Sequence, residues 1–203
     1  AVADDSATLV LDSKALDIST IKDNNDNVLT FRVGEFNLTF GSKLEIDLKT
    51  PLKKDEVVSI TVSYRTTSGC TALDWLTPAQ TAGKVHPYLY TQCEEIHCRS
   101  ILPCQDTPSV KATFNAVVRA QKPLTALLSG VQGEVEDDNQ NEGFRVFRCR
   151  QKNPIPSYLI ALVVGELDSR TLSDRVAVYA EPSVVEKCAY EFTETEQFVS
   201  IAE

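Results

Sequence analysis

The chain has 203 residues, of which 42% are hydrophobic, and this composition supports a folded core and argues against disorder. Its formal net charge of −9 disfavours a nucleic-acid partner and an anionic membrane surface, because both need clustered lysine and arginine. No run approaches the ~18 apolar residues of a transmembrane helix, and the first seven residues lack the basic and apolar regions of a signal peptide. We therefore expect no nucleic-acid partner and no membrane segment.

The first third of the chain is rich in strand-forming patterns. Strands are predicted at 7–12, 28–33, 36–40, 43–48 and 56–64, where apolar residues run together or alternate with polar ones. The segment 23–27 predicts a turn, because asparagine and aspartate tolerate left-handed backbone conformations. Between 66 and 110, glycines and prolines interrupt any long element, but Trp75, Tyr88, Tyr90 and the cysteines predict that this long loop is ordered.

Strand patterns resume after this loop. They lie at 110–118, 125–129, 144–149, 158–164 and 176–179. The acidic segment 133–143 predicts a solvated hairpin loop, and a calcium loop is disfavoured because its oxygen ligands lack the required spacing. Ser183 and Glu186 form a capping-box pattern that predicts a helix over 183–203. We therefore predict one mainly β domain spanning 1–203, with a sandwich or layered antiparallel sheets and a C-terminal connector helix.

The segment 88–111 concentrates residues that can do chemistry. A protease zinc site needs a helical HExxH motif, and neither His86 nor His97 begins one. The chain offers a zinc cluster only from Cys93, His97, Cys98 and Cys104. No C-x-x-C pair occurs among these residues, so buried thiols packing under the loop are favoured. A Cys–His nucleophile is disfavoured because adjacent residues of an extended strand face opposite sides. Six cysteines in 203 residues are sparse for a disulfide scaffold, which predicts free thiols and a cytoplasmic location.

Gln92 and Glu94 form the polar pair of greatest interest in this segment. They are two residues apart, so on an extended backbone both side chains emerge on one face. An amide oxygen beside a carboxylate suits an ammonium group, which offers hydrogen-bond donors and a positive charge. The alternative is an ordinary solvated strand edge.

Four blocks of the sequence carry a resemblance to a known family. They are 72–87, 88–111, 151–165 and 186–196. In this order they resemble the amino-terminal domain of zinc aminopeptidases related to leukotriene A-4 hydrolase, in the aminopeptidase N superfamily. The resemblance implies a saddle of layered mixed and antiparallel sheets that packs on a downstream thermolysin-like catalytic domain of the same chain. It also implies that Gln92 and Glu94 bind the amino terminus of a peptide substrate. The leukotriene hydrolases carry glutamine at the position of Glu94, whereas aminopeptidases of the wider family carry glutamate, which predicts an aminopeptidase and leaves epoxide hydrolysis open.

The resemblance further implies zinc as the cofactor of the full-length enzyme, where zinc and a general-base glutamate activate water. The zinc ligands, that base and the family's G-x-M-E-N motif do not occur in this sequence. We therefore expect the segment alone to be inactive and to bind no zinc. Two rival interpretations are a stand-alone β module that binds proteins and a thiol-based enzyme. A domain separated from its partner should expose an apolar patch on the helix 184–202 and the loop 88–108.

Overall fold

The computed structural model describes residues 6–53 and 55–203, and these residues are mainly β, as predicted. The prediction that the chain starts without a signal peptide concerns its first seven residues, of which the first five lie outside the described part. The described strands are β1 (Ser6–Ser13), β2 (Leu16–Asp23), β3 (Phe31–Val33), β4 (Ser42–Leu52), β5 (Ile60–Thr66), β6 (Leu73–Leu76), β7 (Tyr88–Thr91), β8 (Lys111–Gln121), β9 (Thr125–Leu128), β10 (Val131–Asp137), β11 (Phe144–Pro156), β12 (Leu162–Gly165), β13 (Asp168–Thr171) and β14 (Ala177–Ala180). The helices are α1 (Val185–Glu191) and α2 (Thr195–Ala202).

The described residues form two compact units. The first unit contains the residues up to Leu73 together with Gln92–Thr113 and Asn153–Ala161. The second unit contains Asp74–Thr91, Phe114–Lys152 and Leu162–Glu203. Whether all 203 residues act as one domain stays a prediction.

The first unit is built on two antiparallel sheets, one with strand order β1-β4-β3 and one that pairs β2 with β5. Alternation along β4 directs Leu44, Ile46 and Leu48 to one face, where they join Ile21 and Leu29 in a buried core. Full burial of a leucine or isoleucine stabilises a fold by roughly 1.5–3 kcal/mol. This core therefore stabilises the sheets against which the 92–106 region lies, since the Asp12 N–H of β1 donates to the Cys104 carbonyl at 2.8 Å.

The second unit contains three sheets, with strand orders β6-β7-β12-β9, β10-β11-β8 and β13-β14. Its core includes Ala120, Ala126 and Phe147, with partly buried valines and leucines around them. Gly165 allows a close contact here, because a Cβ atom at this position would lie 2.5 Å from the Tyr88 ring. Glycine at this position therefore lets β12 and the Tyr88 side chain of β7 approach each other closely.

The strand predicted at 36–40 is wrong. The Asn37 side chain accepts hydrogen bonds from the backbone N–H groups of Thr39 and Phe40, both at 2.9 Å, and holds the segment in a turn. Gly41 closes this turn with a φ of 74°, which favours glycine. Apolar alternation alone therefore misidentified a polar-capped turn as a strand.

The acidic hairpin loop is shorter than predicted. Residues 133–137 belong to β10, which pairs with β11, and only 138–143 form the turn. The carboxylate of Asp138 accepts hydrogen bonds from the Gln140 N–H and the Asn141 side-chain amide, both at 2.9 Å. Protein donors therefore occupy the oxygens that a calcium loop would direct at the ion. The strands β2 and β13 were not predicted, nor were β6 and β7, which lie in the segment 66–110 that was predicted to be a loop. The strands predicted at 28–33, 56–64 and 158–164 begin only at Phe31, Ile60 and Leu162.

The C-terminal segment is helical, as predicted, but it forms two short helices. The Thr193 hydroxyl donates to the carbonyl of Tyr190 at 2.6 Å, which interrupts the helix between α1 and α2. The predicted capping box at Ser183 is wrong, because the N-cap is Val184 and the Glu186 carboxylate instead accepts from Arg170 at 2.6 Å. Within the described residues, no helix has the length and apolar character needed to cross a bilayer.

Candidate functional site

Gln92 and Glu94 are both exposed, and Cys93 between them is only 3% exposed. The Gln92 backbone N–H donates to the Ala72 carbonyl at 2.9 Å, which fixes the start of the segment. Glu94 is the first residue of a turn over 94–97 and does not continue the strand that ends at Thr91, so the common solvent face predicted from the spacing of Gln92 and Glu94 stays a prediction. Both side chains are exposed and therefore remain available to a ligand.

A tight turn follows Gln92. The His97 backbone N–H donates to the Cys93 carbonyl at 2.9 Å, and Glu94, Glu95 and Ile96 lie between them. The peptide bond that joins Glu94 to Glu95 is cis. A 3-10 turn at Cys98–Ser100 continues the chain. The turn therefore presents two exposed carboxylates, of which Glu94 is the one identified from sequence.

The segment Cys70–Ala72 runs alongside this turn and bonds to it repeatedly. The Thr71 Oγ1 atom and the His97 Nδ1 atom share a hydrogen bond of 2.7 Å. The buried Ser100 hydroxyl donates to the His97 carbonyl at 2.7 Å and accepts from the Thr71 N–H at 3.2 Å. The Cys70 thiol donates to the Ser100 carbonyl at 3.0 Å. These contacts are local to the first unit, and they fix the turn from one side.

A buried ion pair fixes the other side of the turn. The Arg99 Nε–H donates to the Asp106 carboxylate at 3.0 Å, and both residues are at most 5% exposed. The remaining Arg99 donors bond to the Phe40 carbonyl at 2.7 Å and the Asp106 carbonyl at 3.0 Å. The Ser157 hydroxyl donates to the other Asp106 oxygen at 2.6 Å. Because both charges are hydrogen-bonded on several sides, their desolvation is compensated.

The matches to known proteins identify the family of the domain that carries this turn. The family described as Peptidase M1 N-terminal domain matches residues 1–159, which is more than three quarters of the chain. The chain belongs to the peptidase M1 N-terminal domain family.

Individual relatives of this M1 N-terminal domain agree with the family match. Leukotriene A-4 hydrolase of Xenopus laevis is 42% identical over 98% of the chain, and leucine aminopeptidase 2 of Yarrowia lipolytica is 44% identical over 96%. A solved structure of native yeast LTA4 hydrolase superimposes with a TM-score of 0.85 at 37% identity, and the match covers 98% of this chain. The chain spans 33%, 29% and 30% of these three proteins, respectively, so it corresponds to about a third of their length.

Three thiols of the M1 N-terminal domain pack together beneath the turn. Cys93 and Cys98 lie in an apolar cluster with Ala72, and Cys104 packs against it. Hydrogen bonds to Cys104 and Cys93, together with burial, raise the pKa of the Cys98 thiol far above its ordinary range. Since the thiolate is the nucleophilic form, Cys98 is a poor nucleophile. The hydrogen bond with Cys98 lowers the pKa of the neighbouring Cys93 thiol, but Cys93 is only 3% exposed. Reactive cysteines are at least partly exposed, so the burial of Cys93 and the raised pKa of Cys98 disfavour the rival interpretation as a thiol-based enzyme.

The candidate metal ligands of the described residues lie in the same place. One ligand atom from each of Cys98, Cys104 and Asp106 falls within 4.8 Å of the others. However, the Asp106 carboxylate is paired with the Arg99 guanidinium, and a cation bound here would lie next to that buried positive charge. His97, which the sequence placed in a possible zinc cluster, bonds to Thr71 instead. These residues therefore do not fit zinc.

No sequence pattern predicted a role for Thr71, Arg99 or Asp106. A signal for the ion pair is present, because Arg99 stands among apolar and small residues from Cys98 to Leu102, and such a charge is usually buried only when paired. The contact of Thr71 with His97 joins residues 26 positions apart, and no local pattern announces it.

Proposed function

We propose that this chain is the substrate-anchoring N-terminal domain of a zinc aminopeptidase related to leukotriene A-4 hydrolase. The observation that carries the proposal is the exposed pair Gln92 and Glu94, held on a braced turn in an M1 N-terminal domain. The relatives named leukotriene A-4 hydrolase and leucine aminopeptidase 2 support it, because each matches nearly the whole chain.

The proposed role of the pair is to bind the ammonium group of a peptide substrate. The Glu94 carboxylate supplies a negative charge and acceptor oxygens, and the Gln92 amide oxygen supplies a further acceptor. Binding the amine at a fixed point positions the first peptide bond of the substrate for attack. The candidate ligands among residues 6–53 and 55–203 do not fit zinc, so we place zinc in a downstream thermolysin-like catalytic domain of the same chain and assign its chemistry there.

The apolar surface of α1 and α2 favours this proposal over a stand-alone interaction module. Tyr190 is 83% exposed and Ile201 is 73% exposed, and Phe192 and Phe198 are also more than half exposed. Exposure of several large apolar side chains on one short segment is typical of a surface that is covered by another domain. The loop 88–108 adds little to this surface, because Tyr90, at 38%, is its one exposed large apolar side chain. We propose that the catalytic domain covers the surface of α1 and α2.

The proposal also concerns the activity and the location of the full-length protein. We propose that it removes amino-terminal residues from peptides, and glutamate at position 94 favours this activity. Epoxide hydrolysis is a second candidate, which the 42% identity to a leukotriene A-4 hydrolase supports. A cytoplasmic location is supported by six free cysteines, because reducing compartments keep thiols unpaired.

The proposal is tested with the full-length protein and an aminoacyl reporter substrate. Glu94→Ala should lower kcat/KM by about ten- to a hundredfold, the range for loss of a charge-assisted hydrogen bond. Glu95→Ala is the matched control, because it removes the adjacent exposed carboxylate from the same turn. Equal effects of the two substitutions would contradict the assignment of Glu94. The 203-residue chain alone should not hydrolyse the reporter.

A further inference from the structure

We propose that Thr71 and His97 are positioning residues that hold Gln92 and Glu94 in their binding arrangement. This inference rests on the proposed function, because it concerns the same site. It assigns a role in substrate binding to two residues that do not themselves contact the substrate.

The geometry points to a clamp on the segment that carries the pair. At one end, the Gln92 N–H donates to the Ala72 carbonyl at 2.9 Å. At the other end, the His97 ring bonds to the Thr71 hydroxyl at 2.7 Å. Thr71 and Ala72 are neighbours in the chain, so two adjacent residues hold both ends of the segment 92–97. Glu94 lies inside the clamped segment.

The clamp is itself fixed in place. The Ser100 hydroxyl is fully buried and bonds to the His97 carbonyl at 2.7 Å and to the Thr71 N–H at 3.2 Å. Beyond Ser100, the Arg99 guanidinium holds Asp106 and the Phe40 carbonyl. The Thr71–His97 bond therefore connects the exposed turn to a rigid, buried base.

A clamp of this kind increases affinity through preorganisation. An unclamped turn would lose conformational entropy when it orders around a ligand, and that loss would weaken binding. Preorganisation of the turn changes ligand affinity only through the side chains that the turn carries. Removing the Thr71 hydroxyl should therefore raise KM more than it lowers kcat, and its effect should be largest while Glu94 is present to bind the amine.

The test compares Thr71→Val, which keeps the shape of the side chain and removes the hydroxyl, with Thr71→Ser, which keeps the hydroxyl. In the full-length enzyme, Thr71→Val should raise KM by about two- to fivefold, the range for one exposed hydrogen bond. Thr71→Ser should keep the KM at its wild-type value. Thr67→Val is the control, because its hydroxyl donates to the Ala15 carbonyl at 3.0 Å rather than to the turn.

A double-mutant cycle separates positioning from a merely structural role. In the Glu94→Ala background, Thr71→Val should cause a smaller further loss than in the wild type, because only Gln92 remains to be positioned. The same loss in both backgrounds, or no loss in the wild-type background, would overturn this inference while Glu94→Ala alone still weakened binding. Unchanged kinetics of Glu94→Ala would overturn the proposed function and this inference together.

Discussion

The carboxylate of Asp106 accepts hydrogen bonds from both the backbone N–H of Arg99, at 3.1 Å, and its side-chain Nε–H, at 3.0 Å. The two residues are seven positions apart and almost completely buried. Their pairing links the chain just after the turn that carries Glu94 to the segment that leads into β8. The site therefore depends on a desolvated ion pair whose members lie outside the proposed ligand contacts.

Asp106→Asn should destabilise the chain strongly. The substitution removes the buried counter-charge of Arg99 and leaves the partly exposed Asp12 carboxylate, 3.5 Å from the guanidinium. Loss of one partner of a buried ion pair typically costs about 3–5 kcal/mol, of which Asp12 offsets a part. Urea unfolding of the 203-residue chain, followed by tryptophan fluorescence and circular dichroism, measures the effect. The control is Asp137→Asn, since the Asp137 side chain is 70% exposed and pairs with Lys122 at 2.8 Å. That pair contributes at most about 1 kcal/mol. Similar midpoint shifts for both variants would show that Asp106 does not compensate a buried charge.

The six thiols should differ in their rates of alkylation. Cys98 is fully buried with a raised pKa, whereas Cys188 in α1 is partly exposed. Iodoacetamide at neutral pH should therefore modify Cys188 well before Cys98 in the native protein, as measured by peptide mass spectrometry. Faster labelling of Cys98 than of Cys188 would reverse this expectation and favour the thiol-based enzyme.

Stability should decrease in alkaline solution. Hydrogen bonds with neighbouring thiols and burial raise the pKa of Cys98, and burial raises the pKa of Cys149 and of Tyr64. These groups stay protonated in the folded state while the unfolded chain loses their protons. The free energy of unfolding is therefore unaffected by them below pH 9, the ordinary pKa of a thiol, and falls as pH rises above it.

Urea midpoints at pH 7.5 and pH 10 measure this dependence. Cys98→Ala should reduce the difference between the two midpoints, because one group with a raised pKa is removed. Cys188→Ala is the control, since it removes a partly exposed thiol outside the cluster. An identical pH dependence in wild type and Cys98→Ala would contradict the assigned pKa shift.

The sequence predicted the β class because segments such as 43–48 in β4 alternate between polar and apolar residues, and the apolar ones, Leu44, Ile46 and Leu48, are buried. It failed at 36–40, where Asn37 caps a turn despite the apolar alternation of its neighbours. It also failed at 133–137, because pairing with β11 makes an acidic segment a strand, and composition does not report pairing. In each case strand pairing, or the hydrogen bonds of one side chain, decided the local structure.

The candidate site was predictable only in part. Gln92 and Glu94 were identified from their two-residue spacing and from the family resemblance, and both are exposed in the structure. The brace around them was not predicted, since Thr71 and His97, or Asp106 and Ser157, meet only after the chain has folded. Local patterns thus identified two exposed side chains of the turn, but not the side chains that hold the turn in place.

The most direct test of the central claim measures the coupling between Glu94 and the ammonium group of a ligand. Inhibition constants of leucinamide and of 4-methylpentanamide, which lacks the amine, are compared for the full-length wild-type enzyme and for Glu94→Ala. We expect loss of the amine to weaken binding to the wild type at least about tenfold more than binding to Glu94→Ala, as a charge-assisted hydrogen bond predicts. The same factor in both proteins would contradict the claim that Glu94 anchors the substrate amine.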